Sequence, residues 1–468
     1  MSEKPIALQL GEISENLTLA DIDERTLENA KIFFLDTIGC ILSGRQIESA
    51  DSVFAAAEEL GGKEECTVIG RSYKMSPSLA ALCNGLAGHS QDYDDDHREG
   101  TQHSSVAVLP AVLAIAEKYG KSGEEVLLAF IIGSDVTIRA GASFLGTTYY
   151  SGWHPTGTCG VLGATAGVAK LLGLTPKQFS YALGVAGSCA GGLGEFNEEG
   201  SWTKRFHAGQ SAKNGILAAM MGKHDFFGPP TVFEGRHGFF NGFSFKGTEE
   251  DPHPKGVYDT SVMTTDFGKV WMMADNSIKL HSCCRFSNNY CDCAIDIHKQ
   301  GCDVTQIENI HADCCDFAIY NLTYPEELKR HPQNVVNAQF SICYEIATGL
   351  VKGKVLPESF TLDAIKDPLI YDLCEKTTWS LDEEFEAVYP KRYPARVTVT
   401  MKDGSKYVAE VAYPKGDPEY PATKEEVQEK FFANAANTIG SVKAKKVAEM
   451  IDKFEELENL DEFFENLV

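Results

Sequence analysis

The chain has 468 residues, a length that suggests two or three domains, and an ordinary globular composition of 43% hydrophobic, 10% aromatic and 23% charged residues. Its 42 Lys and Arg stand against 67 Asp and Glu, a formal charge of −25 that argues against nucleic acid or an anionic membrane surface as partner. A small anionic substrate stays open, provided its site gathers positive charge locally.

The N-terminal stretch has no basic segment followed by an apolar one, so no signal peptide is expected. No apolar run approaches the ~18 residues of a membrane span. Both point to a soluble, cytoplasmic protein. Fourteen cysteines, eight of them between Cys283 and Cys343, suit a reducing compartment.

The first half reads as helices. From Glu24 to Leu42 apolar residues recur at helical spacing, with Gly44 as a stop. Ser122-x-x-Glu125 and Thr175-x-x-Gln178 are capping boxes, the second with Pro176 at the first helical position. Gly160 to Leu172 is rich in Gly and Ala, as in closely packed helices. Gly184, Gly187, Gly191, Gly192 and Gly194 predict that the helix opened by Thr175 ends in a loop.

The texture changes near residue 265. Lys279 to Ile297 predicts a loop leading into a helix, and Val304 to Ile319 alternates in part like a strand. Arg396–Met401 and the run through Tyr407, Ala409 and Val411 flank Asp403-Gly404, a hairpin signal. Thr423-x-x-Glu426 caps another helix, and Ser441 to Leu460 predicts an acidic helix. The chain is thus expected to be mainly α. A large helical domain from 1–268 and 412–468 is interrupted by a smaller α+β domain over 269–411.

Four polar segments could carry chemistry. Residues 88–105 interleave His89, His97, His103 and Arg98 with Asp92, Asp94, Asp95 and Asp96, a mixture able to separate acid from base roles. Its spacing matches no calcium loop or zinc motif, so no metal is expected. His154 precedes the Gly/Ala-rich helix, where the dipole lowers proton affinity and free N–H groups suit a carboxylate. Lys204, Arg205 and His207 stand just before a helical run and suit capture of a carboxylate or phosphate. Lys279 and Arg285 flank Cys283-Cys284, and Cys291 and Cys293 follow. With no C-x-x-C pair, these read as buried thiols.

Taken together, these segments resemble the MmgE/PrpD family, which contains 2-methylcitrate dehydratases, cis-aconitate decarboxylases and an iminodisuccinate epimerase. The matches are Asp92-Tyr93-Asp94-Asp95, His103-Ser104, His154, Lys204-Arg205-Phe206-His207-Ala208-Gly209 and Lys279 to Cys284, in the family's order. Gly228-Pro229, Phe233-Glu234-Gly235 and Asn337-Ala338-Gln339-Phe340-Ser341 add to them, and the resemblance covers nearly the whole chain. It implies a helical domain from both chain ends with an α+β lid, a homodimer, no cofactor, and an active site between the two domains.

The resemblance carries over Asp92, His103, His154, Lys204, Lys279 and Tyr320 as catalytic positions. Asp96, Arg205, His207, Cys284 and Arg285 are expected to bind the substrate, a small carboxylate. Lys204, Lys279 and Arg205 would clamp carboxylates, His103 and His154 act as base and acid, and Asp92 orient a histidine. Three departures stand out: Asp96 where many members have Thr, Asn288 where many have His, and Cys284 where decarboxylases have His. Asp96 is expected at the rim of the site. The implied activity is a lyase next to a carboxylate, a dehydratase first, then an epimerase, then a cis-aconitate-type decarboxylase, with a binding protein as the non-enzyme alternative.

Overall fold

Helix Glu24–Gly44 starts where the Asp23 carboxylate accepts from the Thr26 N–H. The computed structural model describes residues 4–247 and 256–468. The boxes at Ser122, Thr175 and Thr423 all form and open helices Gly123–Ala142, Pro176–Cys189 and Lys424–Asp452. In each, a hydroxyl accepts from the N–H three residues on while the Glu or Gln there reaches back.

Two boundaries differ from the sequence reading. The helix from Pro176 runs through Gly184 and Gly187, and only Gly191, Gly192 and Gly194 form the loop. A Cβ at Gly184 would lie 2.6 Å from the backbone of Gly228, so this glycine serves close packing inside the helix. The last long helix turns at Gly440, in the left-handed region at φ 78°, and ends at Asp452. A 3-10 turn at Phe454–Glu456 follows, so the helix expected up to Leu460 is shorter.

Apolar burial divides into two cores. The larger joins residues from Ile6 to Ile278 with Val427, Phe431, Val447, Phe463 and other C-terminal side chains. There helix Lys424–Asp452 lies along Glu24–Gly44, with Phe431 against Gly39. The smaller core gathers Cys283 to Met401, plus Phe196 from the helical part. It is built on a four-stranded sheet ordered Thr377–Leu381, Ile307–Cys314, Ala395–Met401, Lys406–Val411. The first pair is parallel and the other two antiparallel. Arg396–Met401 and its hairpin partner thus form as the alternation predicts. Cys283, Cys284, Cys291 and Cys293 are buried as free thiols in this core. The fold is mainly α with a small α+β part.

Among the described residues, no helix is long and apolar enough to cross a membrane.

Candidate active site

One glycine contact sets the site's frame. Helices Pro77–Gly88 and Thr203–Lys223 touch where Gly85 meets Gly209, and a Cβ on Gly209 would lie 2.3 Å from the Leu82 carbonyl oxygen. This explains the glycine of the Lys204-to-Gly209 segment. It brings Lys204 and His207, on the first turns of one helix, beside the loop that leaves the other at His89. His103 caps helix Ser104–Tyr119, and His154 stands just before Pro155.

Four imidazoles converge there. The rings of His89 and His103 lie 4.6 Å apart, those of His89 and His154 stack at 5.7 Å, and those of His154 and His207 lie 5.2 Å apart. Asp94 is shared by two of them. Its carboxylate takes both oxygens to 3.0 Å from His89 Nδ1, and Oδ2 to 3.1 Å from His103 Nδ1. The His103 Nδ1 also faces the Asp95 carbonyl oxygen at 3.1 Å. An Nδ1 facing two acceptors holds the ring proton, which leaves Nε2 with its lone pair.

His154 Nδ1 lies 3.0 Å from His207 Nδ1, so one donates and the other accepts. The His154 Nε2 is buried with no hydrogen-bond partner among the described residues. Burial keeps His89, His154 and His207 neutral: it pulls His89 down to about 3, His207 down to about 4 and His154 well below its ordinary value, with neighbouring cations adding to the effect. Burial alone would raise Asp94, but His89 and His103 hold it well below the carboxylate range.

Asp92, at φ 51°, pairs with both lysines. Lys204 Nζ donates to its Oδ2 at 2.7 Å, and Lys279 Nζ to its Oδ1. Lys279 also donates to the Asp92 and Cys283 carbonyls at 3.2 and 3.1 Å, so all three of its N–H bonds are committed. Lys204 has only the Asp92 bond to a protein oxygen among the described residues and keeps donor capacity for a ligand. Burial would raise Asp92, yet Lys204 and Lys279 hold it ionised. Asp92 therefore neutralises the lysines. The histidine-orienting role expected of it falls to Asp94, two residues on.

The remaining expected residues separate. Cys284 stays near this group, and burial pushes its thiol up to about 12, so it is neutral; Asn321 donates to its Sγ at 3.3 Å. Asp96 is buried, 4% exposed, rather than at the rim. Its backbone bridges to Ser277, and its carboxylate meets Arg285 Nε at 3.3 Å. Arg285 also pairs with Asp417, so it serves this internal ion cluster instead of facing the histidines. Arg205 turns away to a separate cavity lined by Gln91, Ser282 and Gln339. Tyr320 is 49% exposed and packs on Tyr150 and Phe317, off the cluster. Asn288 donates to the Cys284 carbonyl and holds local backbone.

Sequence reasoning passed over His89 and Asp94 as site residues, although both lie in the polar segment it singled out. It also missed Lys430, whose Nζ donates to the Tyr93 and Lys279 carbonyls at 2.6 and 2.9 Å and pairs with Asp36 at 2.6 Å. Nothing local marks this lysine, since its partners are more than 150 positions away. His89, Asp94 and His103 also offer ligand atoms within 4.8 Å of one another. Such a set could hold a borderline divalent cation if both Nδ1 atoms gave up their protons.

Residues 8–251 match the MmgE/PrpD N-terminal domain, and residues 281–456 the MmgE/PrpD C-terminal domain. A cis-aconitate decarboxylase-like protein, oryM, of Aspergillus oryzae is 30% identical over 92% of this chain and 90% of its own. The cis-aconitate decarboxylase of Homo sapiens is 25% identical over 98% and 94%. The mitochondrial 2-methylcitrate dehydratase of Yarrowia lipolytica is 24% identical over 83% and 76%. With both domain matches spanning most of its length, the chain belongs to the MmgE/PrpD family of enzymes.

Proposed function

We propose that this protein is a lyase that breaks a bond next to a carboxylate of a small di- or tricarboxylate, using its own side chains as acid, base and cation, and that it is a decarboxylase of the cis-aconitate type. The observation that carries the chemistry is the pairing of Asp94 with His103 beside a histidine whose Nε2 lacks a partner and a lysine with free donors. The likeness to decarboxylases over nearly the full chain supports the choice of bond.

In this reading Lys204 binds a substrate carboxylate, and the start of helix Thr203–Lys223 adds its dipole. The bond from carbon to the departing CO₂ breaks, and its electron pair spreads onto the adjacent alkene and carboxylate. The carbanion then takes a proton from an imidazole N–H, with Asp94 stabilising the charge on His103 when it carries that proton. Lys279 keeps Asp92 and the loop in place. We read the protein as a homodimer without a cofactor, as the family resemblance implies.

One observation favours a second reading, a 2-methylcitrate-type dehydratase. By the family resemblance Cys284 stands where decarboxylases have a histidine, and its thiol is too weak an acid to replace one. Here His103 Nε2 would remove a C–H proton and His154 would protonate the departing hydroxyl.

Incubation with cis-aconitate, 2-methylcitrate and iminodisuccinate in D₂O, followed by NMR, separates the readings. CO₂ loss with one deuteron placed on carbon is expected from cis-aconitate. An alkene formed from 2-methylcitrate without CO₂ loss would replace the first reading by the second. Exchange without a new product would indicate epimerisation, and silence across the panel would favour a binding protein.

A further inference from the structure

A cavity of about 290 Å³ opens where the two cores meet. Gln46, Gln91 and Arg205 line it from the helical side, Ser282, Asn334 and Gln339 from the other. Its described lining contains neither a histidine of the cluster nor Lys204 or Lys279.

Arg205 is the cation of this wall. It is 4% exposed, and its Nη1 donates to a neutral partner, Ser49 Oγ, at 2.8 Å. Its Nη2 is buried with no hydrogen-bond partner among the described residues. A buried guanidinium keeps its charge and presents a planar fork that suits a carboxylate in two-point contact. Leaving one arm unpaired is unfavourable unless an oxyanion or water completes it. Burial weakens its hold on the proton, to about 10, while the Asp92 carboxylate opposes that shift. Glu48 also lines the cavity, but it is solvent-exposed.

The wall is also the seam between the cores. The Gln91 carbonyl accepts from Ser282 Oγ at 2.7 Å and from Gln339 Nε2 at 2.8 Å, and the next residue is Asp92. A ligand on Arg205 would contact both sides of that seam.

We propose that this cavity is a second anion site, taking a small carboxylate on Arg205 apart from the histidine cluster, and that its occupancy strengthens the seam between the two cores.

The test is calorimetric titration and thermal unfolding of the full chain with succinate and with inorganic phosphate. Succinate should bind, raise the unfolding temperature, and do both in the Lys204→Met variant as well. In the Lys204→Met background, Arg205→Gln should weaken this event at least tenfold and abolish the thermal shift. Leu362→Trp, at an exposed position of the cavity wall, should do the same without touching the guanidinium, and it keeps the test open if Arg205→Gln fails to fold. Succinate binding unaffected by Leu362→Trp, or lost altogether in Lys204→Met, would overturn the proposal. Phosphate binding as tightly as succinate would overturn the assignment to carboxylates.

Discussion

Asp94 Oδ2 and His103 Nδ1 stand 3.1 Å apart, with the carboxylate fully buried and the imidazole 7% exposed at its side chain. The contact fixes the ring's tautomer and its direction, much as a third group orients the base in other acid–base sites. Asp94→Asn keeps the shape but removes the charge. It should lower kcat by roughly 10²–10⁴-fold with little change in KM, because the histidine would lose its orientation and its charge stabilisation. The pH dependence of kcat should shift as well. An unchanged kcat and pH profile would assign Asp94 a purely structural role.

The two lysines on Asp92 should answer differently to removal. Lys279→Met leaves three acceptors, two of them buried carbonyls, without their donor. It should destabilise the protein by about 3 kcal/mol, the range seen when one partner of a buried pair is lost. Lys204→Met removes one contact to Asp92 and leaves Lys279 to hold the carboxylate, so it should cost less stability and raise KM more. Urea unfolding and steady-state kinetics on both variants check this. The opposite order in both measurements would reverse the roles given to them.

Lys430 ties the C-terminal helix to the site through Asp36 and the Tyr93 and Lys279 carbonyls. Lys430→Met should destabilise the protein by roughly 3 kcal/mol, and adding Asp36→Asn should recover part of the loss. Strict additivity in that double-mutant cycle would show the two side chains to be uncoupled.

The contrast between Lys430 and Asp94 shows where sequence reading stops. Capping boxes, the Asp403-Gly404 hairpin and the helical first half were legible, because each depends on residues within one or two turns of each other. The polar segment 88–105 was recognisable as chemistry. Which of its four aspartates faces the histidines was not, because Asp92 adopts a left-handed backbone conformation that the sequence does not announce. Asp96, expected at the rim, is instead buried and neutralised by Arg285, 189 positions away (285 − 96). Such long-range pairing has no local signature, and the same holds for Arg205, whose neighbour Lys204 lies on another face of the helix.

A metal test bears on the shared Asp94. If protons occupy both Nδ1 atoms, elemental analysis of the purified protein should find no stoichiometric zinc, manganese or iron, and a chelator should leave turnover unchanged. One metal per chain with chelator-sensitive turnover would show His89, Asp94 and His103 to be ligands instead.

Lys329 gives a pH-linked prediction. It is fully buried in the smaller core, and its Nζ donates to Asn197 Oδ1 at 2.7 Å. Burial pulls its pKa down from 10.5 to about 8, with Cys284, Glu345 and Glu198 opposing that shift. Below pH 8 the folded and unfolded chains both carry the proton, and the folded chain bears the full penalty of a buried charge. Between pH 8 and 10.5 the folded chain has lost a proton that the unfolded chain keeps, so this residue makes stability rise with pH. Lys329→Met removes the penalty and the Asn197 bond together. The variant's stability relative to the wild type should therefore fall by roughly 2 kcal/mol from pH 7 to pH 9.5, since the penalty drops from about 3 to about 1 kcal/mol. The lost hydrogen bond subtracts about 1 kcal/mol at both pH values and cancels in that difference. Urea unfolding of both proteins at the two pH values measures it, and a difference independent of pH would mean that Lys329 titrates in the folded protein as it does in water.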